Sequence, residues 1–318
     1  MENMLQNTPI RVGVIGLGNI AHAIHLPILA GMENIEITTV MCRTEKTMRT
    51  TARAFGAKNI SLTFDDFLKT EMDAAFILTP KDAHFCYAVP LLEAGVDVFC
   101  EKPMAESLEE AHTMVDAAKK HQRILSIGFN RRYTPVYHHA KKVFSNEPPD
   151  VCFLEKNRPN SEYRASFENA IHMIDLMRWF CGECHDFHAY STFEDPYYET
   201  NLTAQFLFSG NRTGMLIASR TAGQWMERGE LFGGNQTVVV DCPETFRLID
   251  AEKETAISFT PLAMGWTDVK DNLGFRTEIE AFFESMKTRQ PTPTDGSDAL
   301  QTHILIDKIL RKAGLPGL

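Results

Sequence analysis

The chain has 318 residues, 44% hydrophobic and 23% charged, with a formal net charge of −10. That composition is ordinary for globular protein, and the length is enough for two cores. The acidic balance, with no segment dominated by Lys and Arg, argues against nucleic acid and against an anionic membrane surface, and leaves a small molecule as the expected partner.

The opening MENMLQNTPIRVGVIGLG has no basic stretch leading into an apolar one, so it does not read as a secretory signal. No apolar run approaches the ~18 residues of a membrane-spanning helix. The seven cysteines are an odd number, scattered from Cys42 to Cys242, and several stand in apolar strand-like runs. Buried thiols in a reducing compartment fit that pattern, so a cytoplasmic location is expected.

From the N-terminus, IRVGVIG reads as a buried strand, followed by a glycine-rich turn and a helix to about Met32. IEITTVM is the second strand, with a helix from Thr47 to Phe55. A short third strand lies near Ile60. AAFILT is the fourth, with a helix from about Ala83 to Ala94, and VDVFC is the fifth. Ser107 and Glu110 form a capping box that opens a helix to about Lys120, and ILSIGF is the sixth strand. This alternation predicts a doubly wound parallel sheet over residues 1–128.

Beyond it the pattern changes. VCFLEK is a strand, a helix spans Phe167 to Cys181, and DFHAYSTF, LTAQFLF, RTGMLIASR, QTVVVDC, TFRLID and TAISF follow as strands. Two helices close the chain, near Asp271–Lys287 and Ser297–Ala313. Residues 129–318 are therefore expected to form a second α/β domain with an open, largely antiparallel sheet.

Gly16, Gly18 and Ala21 stand as G-x-G-x-x-A between the first strand and its helix, with Asn19 and Ile20 inside the motif. The first glycine permits the tight turn, the second lets a pyrophosphate approach the backbone, and Ala21 permits close helix packing. The helix N-terminus then faces the anion. Where an Asp or Glu at the end of the second strand would select NAD, this chain has Cys42, Arg43 and Thr44. A guanidinium suits a 2′-phosphate, so NADP(H) is favoured over NAD(H). In FENAIHMIDLMRWF, Glu168, His172 and Asp175 are spaced i, i+4, i+7, an acidic–His–acidic stripe on an otherwise apolar helix. A histidine oriented by a carboxylate can move a hydroxyl proton near neutral pH. Lys102 follows the carboxyl end of the fifth strand, where open α/β sheets border their ligand crevice. Asn130 and Arg131 begin the crossover into the second domain, and Asn157 and Arg158 follow VCFLEK, so all four are placed to meet a polar substrate or the cofactor.

TPKDAH (Thr79 to His84), EKP (Glu101 to Pro103), GFNRRYTPVY (Gly128 to Tyr137) and HMIDLMRWFCG, together with the glycine turn, resemble the Gfo/Idh/MocA family of sugar and polyol oxidoreductases over nearly the whole chain. The GFNRRY and HxxDxxRW pieces look closest to its MviM-like branch. The resemblance implies hydride transfer between nicotinamide and a carbon bearing a hydroxyl, on a sugar, polyol or related hydroxy or keto compound. It implies that Lys102 polarises the substrate oxygen and touches the nicotinamide ribose, that Lys102–Pro103 is cis, and that Thr79, Pro80, His84 and Glu101 line the cofactor. It further implies that His172 is the acid/base, and that the open sheet face makes a homodimer or homotetramer. The family's usual Asp four residues before the histidine is Glu168 here. Two alternatives stay open: a non-catalytic NADP-binding regulator on the same scaffold, and an enzyme whose tightly held NAD cycles on a glycoside.

One motif points elsewhere. Cys181-Gly-Glu-Cys184-His185 matches haem attachment, and C-x-x-C also suits a dithiol or half a zinc site. No second C-x-x-C completes a zinc set, and His138-His139 is poor spacing for a shared ion. The stretch is expected to be a helix end, with Gly182 as a left-handed stop after Cys181. No resident metal is expected.

Overall fold

The computed structural model describes residues 8–159, 164–195, 198–251, 253–260 and 268–318; the opening stretch, residues 1–7, lies outside the described residues. The chain divides into two compact units, one running to Gly128 and taking in Glu280–Leu300, the other Phe129–Ile279 with Gln301–Leu318.

The first unit is built on a six-stranded parallel sheet: β1 Ile10–Ile15, β2 Ile35–Met41, β3 Asn59–Ile60, β4 Ala74–Ile77, β5 Asp97–Cys100 and β6 Leu125–Ile127. Their order in space is β3-β2-β1-β4-β5-β6, the doubly wound order whose reversal between β1 and β4 opens a crevice at the carboxyl ends. Val12, Val14, Phe76, Ile77, Val98 and Phe99 are fully buried, as strands covered by helices on both faces require. Helices α1 Leu26–Ala30, α2 Glu45–Phe55, α3 Phe64–Lys69, α4 His84–Glu93 and α5 Leu108–Lys120 alternate with the strands. The capping signal before α5 is realised in part. Ser107 Oγ accepts from the Glu110 amide, while the Glu110 carboxylate takes the amide of Glu106 rather than that of Ser107.

The second unit opens with α6 Pro135–Val143 and holds an eight-stranded sheet: β7 Val151–Asn157, then β8 Cys184–Asp195, β9 Tyr198–Phe208, β10 Arg212–Ser219, β11 Met226–Gly233, β12 Gln236–Asp241, β13 Thr245–Asp250 and β14 Lys253–Ser258. The order is β14-β13-β12-β11-β7-β10-β9-β8, antiparallel except for the β7–β10 pair. Helix α7, Ile171–Cys181, packs on β7 and β10, and α6 on β12 and β13. The chain closes with α8 Val269–Asn272, α9 Phe275–Thr288 and α10 Gly296–Lys312. No helix among the described residues is long and apolar enough to cross a membrane.

Three expectations need correction. Residues 280–300 belong with the parallel sheet and not with the second domain, for aromatic and ionic reasons. Phe282 meets Phe76 and Phe99 edge-on, Ser126 bonds Thr292, and Arg289 takes the buried Asp97 carboxylate at 2.6 and 3.1 Å. Strand β11 was not anticipated, because its inward positions include Glu227 and Gly229 rather than an apolar alternation. Gly182 has the positive φ of +90°, but its ψ of −159° lies outside the left-handed helical region. Such a backbone is reached essentially by glycine alone, and it carries the chain from α7 into β8.

Candidate active site

In the first unit, the turn after β1 faces the loop after β4. Gly16 has φ +92°, and a Cβ there would lie 2.5 Å from the Leu78 carbonyl carbon and 2.6 Å from the Thr79 nitrogen. Only glycine lets the two strand ends approach so closely. A Cβ on Gly18 would meet nothing within 4 Å among the described residues, so the backbone is bare toward the side where a pyrophosphate would lie. The helical segment after the turn begins at Asn19 and contains a π-turn, Ala21–His25, before α1. Thr79 Oγ1 is buried without a hydrogen-bond partner among the described residues. An open cradle beside an unsatisfied buried hydroxyl fits a dinucleotide. Beyond β2, Cys42 is half-buried, with its Sγ donating to the Thr44 carbonyl, and Arg43 and Thr44 are exposed. Pro80 is also exposed.

The Glu101-Lys102-Pro103 segment leaves β5 directly, with Lys102 half-buried and the Lys102–Pro103 bond cis. Two of its predicted cofactor contacts are committed elsewhere. Glu101 Oε1 pairs with His25 Nε2 at 2.8 Å, and Oε2 accepts the Lys102 amide at 3.2 Å. His84 is 1% exposed, with Nδ1 2.8 Å from the Pro103 carbonyl and Nε2 2.9 Å from that of Thr79. Burial pushes this imidazole below its ordinary value, against the pull of both carbonyls. Glu101 and His84 thus shape the loops at the ends of β4 and β5.

In the second unit, His172 is 6% exposed and meets Phe129 edge-on at 6.2 Å. The two carboxylates of the expected stripe each have a partner of their own. Residues Ala165–Ala170 wind as a π-turn, with the Asn169 amide on the Arg164 carbonyl five residues back, so Glu168 does not follow α-helical spacing to His172. Its Oε2 instead accepts the Arg164 amide at 2.7 Å. Asp175 is fully buried and taken by Arg132, with Nε at 2.8 Å and Nη2 at 2.6 Å, and by Thr302 at 3.1 Å. Three donors therefore hold this carboxylate and tie it to Arg132 and Thr302.

The predicted substrate residues separate in the same way. Asn130 Nδ2 is spent on the Leu273 carbonyl at 2.9 Å. Arg131 Nε binds Glu227 Oε1 at 2.6 Å, and Lys156 Nζ binds Glu227 Oε2 at 2.7 Å. Burial would push the Glu227 carboxyl up, but these two cations outweigh it and hold it at about 2. Arg131 and Glu227 form part of the wall of a cavity of about 490 Å³ that also takes in Trp225, Arg228 and Cys242. Asn157, at the end of β7, keeps Oδ1 buried without a partner among the described residues, and Arg158 stacks 4.9 Å over Trp225. Asn169, one turn before His172, carries a second such oxygen and donates to the Lys156 carbonyl. Sequence reasoning missed Asn169, Lys156 and Glu227. The signal for Lys156 was present, since Cys152, Leu154 and Lys156 alternate on the buried face of β7. Cys181 and Cys184 part company: Cys181 is a buried free thiol beside that of Cys152, and Cys184 Sγ donates to the Asp186 carbonyl.

A glycine turn at the β1 crevice, an unsatisfied threonine beside it and a lysine leaving β5 define a dinucleotide-binding oxidoreductase. Residues 10–129 match the Gfo/Idh/MocA oxidoreductase family with its NAD-binding Rossmann fold. It is 25% identical over 309 residues to an uncharacterized oxidoreductase, YrbE, of Bacillus subtilis, covering 91% of this chain and 90% of that one. It is 24% identical over 319 residues to UDP-N-acetylglucosamine 3-dehydrogenase of Acidithiobacillus ferrooxidans, covering 95% and 99%. Among solved structures, a dehydrogenase (MviM) from Clostridium difficile superposes with a TM-score of 0.86 at 20% identity, covering 95% and 99% of the two chains.

Proposed function

We propose that the chain is an NADP(H)-preferring oxidoreductase of a sugar, polyol or related hydroxy or keto compound. The observation that carries this is the placement of Lys102 at the carboxyl end of β5, in the same sheet whose β1 end bears the glycine turn. The relatives named for dehydrogenation of a sugar derivative, such as the UDP-N-acetylglucosamine enzyme, support the substrate class. The bound nicotinamide supplies or accepts the hydride.

Gly16 and Gly18 give the backbone room for the pyrophosphate, and the amides of Asn19, Ile20 and Ala21 face it. Arg43 pairs with the 2′-phosphate, and the unsatisfied Thr79 hydroxyl donates to the cofactor. Lys102 polarises the substrate oxygen, and His172 takes or returns its proton. Asn157 and Asn169 offer acceptor oxygens to substrate hydroxyls. Glu168 and Asp175 hold the backbone and the helix that carry His172, one at the Arg164 amide and the other at Arg132. Self-association uses the uncovered sheet face, where Tyr190, Leu207 and Met215 point outward.

Lys102→Ala tests the assignment. Turnover in a panel of keto sugars and polyols is expected to fall by roughly 10²–10³ while NADPH titration of the protein is unchanged. Equal turnover in the variant and the parent removes Lys102 from the chemistry.

A further inference from the structure

We propose that His25 and Glu101 are positioning residues for Lys102: His25 fixes the Glu101 carboxylate, and Glu101 fixes the backbone and the local charge of Lys102. The proposal rests on the role given above to Lys102, and it concerns how that lysine is held.

Four observations within the first unit carry it. Glu101 divides its two oxygens, Oε1 to His25 Nε2 at 2.8 Å and Oε2 to the Lys102 amide at 3.2 Å. Neither group has solvent to rely on, His25 being 0% and Glu101 9% exposed. A carboxylate taken out of water is costly unless paired, so an ionised Glu101 depends on its partners. The imidazole cannot swing away, because the Phe76 and Phe99 rings flank it at 6.1 and 5.4 Å. Finally, the backbone is locally rewound to put His25 there. Residues Ala21–His25 form a π-turn, closed by the Leu26 amide on the Ala21 carbonyl, at the point where the helix leaves the glycine turn. An inserted π-turn shifts the phase of every side chain after it and recurs at functional sites.

The electrostatics agree with the geometry. Burial pushes the Glu101 carboxyl up, but the His25 hydrogen bond and the charges of His25 and Lys102 outweigh it, leaving the group below its ordinary value. A neutral Glu101 would present Lys102 with a dipole in place of a charge. The helical segment that begins at the pyrophosphate cradle therefore carries, at the end of its π-turn, the residue that fixes the lysine's carboxylate neighbour. Cofactor cradle and lysine form one hydrogen-bonded assembly inside this unit.

The test uses the full chain and needs no substrate. Lysines are reductively methylated with ¹³C-formaldehyde, and the Lys102 dimethylamine resonance is assigned by its loss in Lys102→Arg. Three variants are compared after thermal melts confirm folding: His25→Leu, which removes the donor; His25→Gln, whose amide nitrogen replaces Nε2; and Glu101→Gln. The Lys102 resonance is expected to move by more than its linewidth in His25→Leu and Glu101→Gln and to return in His25→Gln. A folded His25→Leu with an unmoved resonance overturns the proposal. If His25→Leu does not fold, the decision passes to His25→Gln and Glu101→Gln, and an unmoved resonance in Glu101→Gln overturns it equally. On any compound the enzyme turns over, Glu101→Gln should lower kcat by about tenfold with KM for NADPH within about twofold, the mark of an interaction made in the transition state. Absence of turnover on every compound counts against the proposed function and leaves the resonance result standing.

Discussion

Asp175 separates a structural from a chemical role for the charged residues around His172. It is fully buried, and Arg132, itself 4% exposed, grips it through two nitrogens at 2.6 and 2.8 Å. Asp175→Asn keeps the volume and one acceptor but leaves the guanidinium without its counter-charge. Removing one member of a buried ion pair costs roughly 3–5 kcal/mol. In a unit of this size each kcal/mol moves the melting point by about 2–4 °C, so a fall of roughly 6–20 °C is expected. The double variant Arg132→Met, Asp175→Leu removes both charges, and most of the loss should return, because the penalty belongs to the orphaned cation. Circular dichroism with urea titration of all three variants measures this. An Asp175→Asn protein with an unchanged melting point and abolished turnover would refute the structural assignment and restore Asp175 to the proton path.

Gly16→Ala should abolish nucleotide binding and destabilise the first unit, since the new Cβ meets the Leu78 carbonyl carbon at 2.5 Å and the φ of +92° alone costs about 1–2 kcal/mol; retained NADPH affinity in calorimetry would contradict it. Arg43→Glu should weaken NADPH by at least about tenfold, about 1.4 kcal/mol, while sparing NADH; parallel fluorescence titrations decide, and an unchanged NADPH affinity removes Arg43 as the selector. Glu227 predicts an acid limb of stability. Its carboxyl sits at about 2 in the fold, below its unfolded value, so its contribution is complete above that unfolded value and is lost as pH falls toward 2. That displacement corresponds to about 3 kcal/mol. The stability gap between the parent and Glu227→Gln should be level from pH 5 to 7 and narrow by pH 3; a gap independent of pH would contradict the pairing with Arg131 and Lys156.

The parallel sheet was legible because each of its strands announces itself in one-dimensional terms. IRVGVI, apolar except for Arg11, and AAFI are runs between turn signals, and the glycine turn states both where β1 ends and what it faces. What stayed hidden depends on partners far away in the chain. Arg132 meets Asp175 across 43 residues, His25 meets Glu101 across 76 and Arg131 meets Glu227 across 96. Periodicity reports that a position is buried, not whether a charge there is used for chemistry or spent on holding a backbone. The stripe of Glu168, His172 and Asp175 shows the difference. Its spacing is right for one face of an α-helix, but the π-turn over Ala165–Ala170 breaks the phase, and Arg132 had already claimed the far carboxylate. No residue type signals a π-turn, so the change of phase could not be read from the sequence. The missed strand β11 follows from the same physics. Its inward Glu227 is admitted to the core by Arg131 and Lys156, and a buried face of Glu227, Gly229, Leu231 and Gly233 carries no apolar alternation to read. The polar residues easiest to list as candidates were often those most firmly committed to structure. Thr79 and Asn157 are exceptions, uncharged residues each with a buried oxygen that has no partner among the described residues, and the same mark picks out Asn169, which no sequence signal named.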